Sequence, residues 1–419
     1  MGTTFDVLVV GAGAAGLMAA GQAAAAGASV LVLEKMSQTA RKVRISGKGR
    51  CNVTNLCPPT AVLENIPGNG RFLTGAIHKF GPEAMLDFLA AEGVPTKVER
   101  GDRVFPVSDD AHQVANALEH FAKRSGAIIR LGTAVSELLT DATGVTGVRC
   151  GDGTVYRAAQ VIVCTGGGSY PGTGSTGDGW TLAAAVGHTV TPTLPSLVPL
   201  RTKERWPTDL SGLTLRNVSV SLVSSLGRDV QFGELLFTHF GVSGPTVLTL
   251  SRSAAVWLAA GVSVDMHIDL KPALDPDVLD GRLQRDFAKY SRKQIKNGMN
   301  DLLPQALIPI VLAAADLSPE KPIHQVTKEE RQALAKVLKD LRLTVAETLP
   351  LAAAIVTQGG VSVREVNPKN MESRLVPGLY LCGEVLDVDA LTGGFNLQAA
   401  FAMGYAAGKA AGQRSRETT

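Results

Sequence analysis

Residues 5–34 constrain this chain more than any other stretch. A strand-like run at 5–10, valine-rich from Val7, leads directly into Gly11-x-Gly13-x-x-Gly16, a small-residue helical run follows over about 14–26, and a strand-like run at 29–33 ends in Glu34. Strand, glycine turn, helix and strand make a βαβ unit, and the helical crossover implies a parallel sheet. Gly11 permits the tight turn, Gly13 lets the backbone approach a pyrophosphate, and Gly16 lets the helix pack closely on the strand. The first N–H groups of the helix and its positive end suit a diphosphate. Glu34 can accept hydrogen bonds from a ribose diol and repels a 2′-phosphate, so the unit predicts FAD or NAD rather than NADP.

Two look-alikes need other readings. Residues 7–33 carry no charge, long enough for a membrane span by length alone. The stretch breaks into strand, glycine turn, helix and strand, and no basic leader precedes it, so a buried βαβ unit explains it better. Gly172-x-Gly174-x-x-Gly177 repeats the glycine spacing, but a Gly/Ser/Pro stretch precedes it and no acid-terminated strand follows. It reads as a loop.

The chain is long enough for two or three domains, at 419 residues. After residues 35–81, read as a loop, helices are expected at 82–92 and after Ser108, with Asp109 and Asp110 at the start of the second. A third parallel strand is expected at 128–131. Residues 145–150 and 154–158 flank a Gly-Asp-Gly turn and read as a hairpin. A buried strand at 161–164 ends in Thr165-Gly166-Gly167-Gly168. Composition changes near Pro192, and residues 192–350 read as an inserted α+β domain. It holds strand-like runs at 213–223 and 262–270 and helical runs at 276–290, 308–315 and 328–341. The glycine-rich style returns at 351–419, with a strand at 379–382, a helix over about 396–411 and a polar tail.

A formal charge of +3 without a concentrated basic face argues against nucleic-acid binding. Five cysteines without a Cys-x-x-Cys pattern offer neither a disulfide framework nor a metal site, and point to the cytoplasm.

The choice of dinucleotide rests on the far end of the chain. Residues 377–384 form a turn and a buried strand, then Gly383 and Glu384. In two-dinucleotide-type flavoproteins a strand ending in Gly plus acid closes over the ribityl–pyrophosphate part of FAD, and Thr165-Gly166 fits their other return crossing. FAD is therefore favoured over NAD.

Longer motifs carry a specific resemblance. Arg41-Lys42, residues 45–55 (ISGKGRCNVTN), GGSYP at 167–171, TGSTGDG at 173–179, ELLFTHFG at 234–241 and GEVLD at 383–387 together resemble the BaiN/YhiN-like family of NAD(P)/FAD-dependent oxidoreductases. That family pattern often has Gly where Lys48 stands. The resemblance implies an α/β fold, a Rossmann-like two-dinucleotide-type FAD-binding domain interrupted by a β-barrel-like and helical insert. It also implies hydride transfer from reduced flavin to an apolar enone-type substrate such as an oxo-steroid. NADH or NADPH would serve as transient reductant, since no dedicated nicotinamide domain is readable.

Residue by residue, Gly11, Gly13, Ala14, Ala15 and Gly16 match the phosphate loop, and Glu34 and Lys35 the adenosine ribose contact. Lys42 with Ser46, Gly47, Gly49, Arg50 and Asn52 match the segment passing the flavin. The Val135 backbone resembles the adenine contact, Gly383 and Glu384 the ribityl contact. Gly394, Asn396 and Leu397 match a helix start facing the flavin pyrimidine, where a helix N-terminus stabilises negative charge on the reduced ring.

Catalytic groups are harder to read. His239 is a candidate proton donor, with a core histidine as the plainer reading. Arg50 could also bind a substrate carboxylate or carbonyl. Cys51 is expected beside the isoalloxazine. A thiol–disulfide oxidoreductase using Cys51 and Cys57 is an alternative, as is a non-catalytic FAD scaffold that docks a partner.

Overall fold

Short apolar runs bounded by glycine pair as parallel strands. In the computed structural model, which describes residues 3–417, these are β1 (Val7–Val10), β2 (Val30–Leu33), β3 (Ile128–Arg130), β4 (Gln160–Val163) and β5 (Leu379–Leu381). Their order in the sheet is β5-β4-β1-β2-β3, parallel throughout, with Leu8 opposite Leu31 on one side and Val161 on the other. Every residue of β1, β2, β4 and β5 is buried, which is why these strands, Gln160 apart, are apolar without alternation.

Helix α1 (Ala14–Ala25) crosses from β1 to β2, while β4 lies on the other side of β1. The direction of winding thus switches beside β1. Ligands of open α/β sheets bind outside the carboxyl ends of the strands at such a switch. The loops at those ends begin at Gly11, Glu34, Cys164 and Cys382.

The residues predicted as one loop, 35–81, instead contain α2 (Arg41–Ile45), helices Pro59–Glu64 and Thr74–Lys79, and the strand Thr54–Asn55. These pieces are too short to generate a legible periodicity. The helix after Ser108 is α3 (Ala111–Arg124), capped by the Asp110 carboxylate accepting the His112 N–H at 2.8 Å.

The last helix, α4 (Phe395–Glu417), runs six residues beyond its predicted end. Its polar end has the composition of a tail but is helical. Arg416 donates to the Ala26 carbonyl at 3.2 Å and Arg414 pairs with Glu372, so polar residues here anchor a helix rather than end it. α4 lies against α1 along Gly404, Gly408 and Gly412. A Cβ at these positions would lie 2.3, 2.2 and 2.7 Å from the carbonyls of Ala15, Ala19 and Ala23. Two stripes of small residues thus dock the final helix on the first.

Contact density divides the chain into two compact units, one built from both ends, up to Leu194 and from Leu351, and one of Pro195–Pro350. In the second unit Leu200–Thr202, Gly241–Ser243, Gly227–Thr238, Thr214–Ser224, Val264–Asp269 and Leu341–Thr348 close into a six-stranded barrel, in that order. The strand Gly227–Thr238 and the helix Pro245–Ala259 were not anticipated. Helices Pro276–Lys289, Ile308–Ala314 and Lys328–Lys339 match the predicted runs closely. Among the described residues no helix is long and apolar enough to cross a membrane.

Candidate active site

The loops at the carboxyl ends of the strands enclose a cavity of about 760 Å³ in the first unit, within the ~300–1,000 Å³ usual for small-molecule sites. Its wall combines Gly11–Ala15 and Glu34 from the start of the chain, Cys164–Gly166 from the middle, and Gly383, Glu384, Asn396, Leu397 and Met403 from the end. Lys35, Lys42, Ser46, Gly47 and Val135 complete the predicted residues found there.

Gly11 adopts φ +102°, and a Cβ on it would come 2.6 Å from the Cys164 carbonyl, so the turn requires glycine. Gly13 caps α1 without a side chain, and a Cβ there would meet nothing within 4 Å. The first N–H groups of a twelve-residue helix therefore open onto free space. Gly16 lies outside the cavity wall, where a Cβ would sit 1.9 Å from the Gly11 carbonyl oxygen. That is the close helix–strand packing its position predicted.

Glu34 is fixed by its own backbone surroundings. Its carboxylate accepts the Ala12 N–H at 2.7 Å and the Met36 N–H at 2.8 Å, leaving further lone pairs for hydroxyl donors. Thr165 Oγ1 is buried without a hydrogen-bond partner, on a residue of the cavity wall. An anion seat, an oriented carboxylate and an unsatisfied hydroxyl on one cavity wall fit an adenine dinucleotide.

The loop at 172–178 is not a second nucleotide turn, but it walls this same cavity through Thr173, Gly174, Ser175 and Asp178. Lys35 ties it down, 2.6 Å from Asp178 and hydrogen-bonded to Thr176. Burial would raise the Asp178 carboxyl, but Lys35 and Thr176 outweigh it and hold it below the usual carboxylate range.

Glu384 reaches the cavity with its carboxylate already engaged. Oε2 accepts from Lys42 Nζ at 2.9 Å, and Oε1 accepts from Ser169 Oγ and the Thr357 N–H, each at 2.9 Å. The ribityl contact expected of Glu384 would have to share this carboxylate with a protein network. Lys42 Nζ also donates to Ser169 Oγ at 3.0 Å, which leaves it one N–H.

Several predicted residues lie outside the wall. Arg50 is held by Glu99 at 2.5 Å and Asp109 at 2.6 Å and stacks 4.2 Å over Phe105. A cation beside a glycine loop reads as an anion ligand, but here two acids far off in sequence claim it. Gly49 and Asn52 belong to the same turn outside the wall. Gly394 packs against Thr54, whose carbonyl carbon and oxygen would lie 2.5 Å from a Cβ. Asn396 does reach the cavity, while its amide clamps Ala390 from both sides, accepting its N–H at 2.9 Å and donating to its carbonyl at 2.8 Å.

Cys51 is fully buried outside the wall, and burial pushes its thiol up to about 12. Such a thiol is no thiolate nucleophile at neutral pH. Cys57, also off the wall, has its thiol raised by burial. His239 is exposed in the two-residue turn between strands Gly227–Thr238 and Gly241–Ser243 of the second unit's barrel, so the core reading does not hold.

The wall also contains residues not expected as ligands, among them Gln38, Arg41, Lys48, Tyr170, Ile355 and Met403. Arg41, Lys48 and Tyr170 lay within motifs already singled out. Ile355 carried no sequence signal.

Residues 5–410 match the family described as HI0933-like protein Rossmann domain. This chain belongs to the HI0933-like family. As a member it is an FAD-dependent oxidoreductase with a Rossmann-type fold. The chain is 32% identical over 411 residues to a 3-dehydro-bile acid delta(4,6)-reductase of Clostridium scindens, covering 97% of this chain and 98% of that one. It is 32% identical over 404 residues to a ribosomal RNA dihydrouridine synthase of Escherichia coli, covering 96% of each. A solved 3-ketosteroid-delta4-(5alpha)-dehydrogenase from Rhodococcus jostii shares the fold, with TM-score 0.52 and 18% identity, over 98% of this chain and 97% of that one.

Proposed function

We propose that this family member transfers a hydride from reduced FAD to the C=C bond of an apolar, conjugated carbonyl compound, with NADH or NADPH as the reductant. The observation that carries this reading is the single cavity walled by both ends of the chain. Bound FAD supplies the hydride chemistry. The open N–H groups of α1 hold the diphosphate, and Glu34 accepts from the adenosine ribose hydroxyls. Lys42, fixed by Glu384 and Ser169, offers its remaining N–H to the atom on which negative charge develops. The apolar strand ends and α4 exclude water from that charge. The resemblance to the bile acid reductase supports an oxo-steroid-like acceptor.

The equal identity to a ribosomal RNA dihydrouridine synthase favours a second reading, in which the acceptor is a uracil ring. Its C=C is likewise conjugated to a carbonyl, so both readings share one reaction type. The test begins with purified protein and its flavin absorbance. NADH or NADPH should bleach that absorbance without oxygen, and either a 3-oxo-4-ene steroid or an rRNA fragment should then restore it. A colourless protein that cannot be loaded with FAD would end both readings.

A further inference from the structure

Exposed large apolar side chains scattered singly need no explanation. Three of them here stand on one cavity wall. Ile45, Tyr170 and Ile355 line the cavity yet remain 50%, 41% and 42% exposed. They ride on three segments pinned at Ser169, which is fully buried. Its hydroxyl accepts from Lys42 Nζ at 3.0 Å and lies 3.2 Å from the Ile355 carbonyl, while the Tyr170 N–H donates to the Ala352 carbonyl at 3.3 Å. Ile45 follows Lys42 by three residues on α2, one helical turn along the same face. A rim tied in this way is preformed.

Beside it stands Lys48, also on the wall, exposed, and held at φ +58° and ψ +41° in the left-handed region. That conformation is costly for a residue with a Cβ and, where it persists at a site, points to a use. The turn that imposes it is closed by the Cys51 N–H on the Ser46 carbonyl at 3.0 Å and the Arg50 N–H on the Gly47 carbonyl at 3.2 Å. Of the four cations on the wall, Lys35 pairs with Asp178 and Lys42 with Glu384. Among the described residues the side chains of Arg41 and Lys48 make no ion pair or hydrogen bond. Arg41 follows Ala40, whose N–H donates to the Ala12 carbonyl at 2.8 Å, so it stands beside the phosphate loop, where a bound diphosphate would neutralise it. Lys48, at the far end of α2 beyond Ile45, has no such partner.

We propose that this rim is the acceptor-specificity site. The apolar ring body of the acceptor lies against Ile45, Tyr170 and Ile355, and Lys48 reads an anionic group carried on that body. The inference rests on the reductase reading above.

The test uses FAD-loaded wild type, Lys48→Gly and Tyr170→Ser. The probes are a 3-oxo-4-ene steroid with a side-chain carboxylate and the methyl ester of the same compound. Equilibrium binding is read from the perturbed flavin spectrum, and KM and kcat are measured separately. Lys48→Gly relieves the left-handed residue, so the fold survives, which thermal unfolding checks. It should weaken the carboxylate about tenfold, the effect of one charge-assisted contact, and remove the salt dependence of its binding. The ester should shift less than twofold. Tyr170→Ser should weaken both probes. Equal loss for acid and ester in Lys48→Gly, or loss for neither, overturns the proposal while leaving the reductase reading intact. If wild type binds neither steroid but binds an rRNA fragment, the apolar-acceptor reading and this inference fall together.

Discussion

Two glycines three residues apart separate binding from folding. At Gly13 a Cβ would enter empty cavity, and at Gly16 it would strike the Gly11 carbonyl. Gly13→Ala should therefore cost only about 1 kcal/mol as a poorer helix cap while weakening FAD by roughly tenfold or more, as the backbone loses its close approach. Gly16→Ala should lower stability by about 1–3 kcal/mol through overpacking, whether or not FAD is present. Thermal unfolding alongside FAD titration distinguishes the two. His188 makes a prediction about pH. It is buried between Glu365, 3.1 Å from Nδ1, and Ser373, 2.8 Å from Nε2, and burial lowers its pKa from 6.5 despite the nearby carboxylate. The unfolded chain then takes up a proton that the folded chain refuses, so stability is full above about pH 6.5 and falls as the pH drops below it. In His188→Gln this part of the pH dependence of the melting temperature should flatten. Gly11, Gly13, Gly16 and Glu34 were legible because one βαβ unit sets their geometry. Arg50 was not, because Glu99 and Asp109 reach it only through the tertiary fold.

At the scale of elements, the pairing of α1 with α4 brings the two ends of the chain together. Hydrophobic periodicity does not announce it, since runs of alanine and glycine carry no amphipathic stripe and the residues after Ala411 are polar. The signal was the four-residue spacing of Gly404, Gly408 and Gly412, which lets two backbones approach closely. Gly408→Leu should push α4 off Ala19 and cost about 3 kcal/mol or more, beyond the usual overpacking range, because the clash is with backbone. Denaturant unfolding measures this. A shift below about 0.5 kcal/mol would mean that the helices do not pack as described.

At the scale of the molecule, a parallel sheet whose winding switches beside β1 places four loop ends around one cavity. Its nucleotide end was legible in the sequence from glycine spacing and a terminal acid. Its rim was not. Ile355 lies 185 residues beyond Tyr170, and their segments are joined by Ser169 and by the Tyr170 N–H on the Ala352 carbonyl. The barrel closes through pairings such as Val264 with Val345, too remote for periodicity to register. The central claim is that the beginning and the end of this chain hold one molecule of FAD between them. Calorimetric titration of the flavin-free protein should find one site per chain, abolished both by Gly13→Leu in the first loop and by Ala400→Phe on α4. Undiminished FAD binding by Ala400→Phe, or none by the wild-type protein, would contradict it.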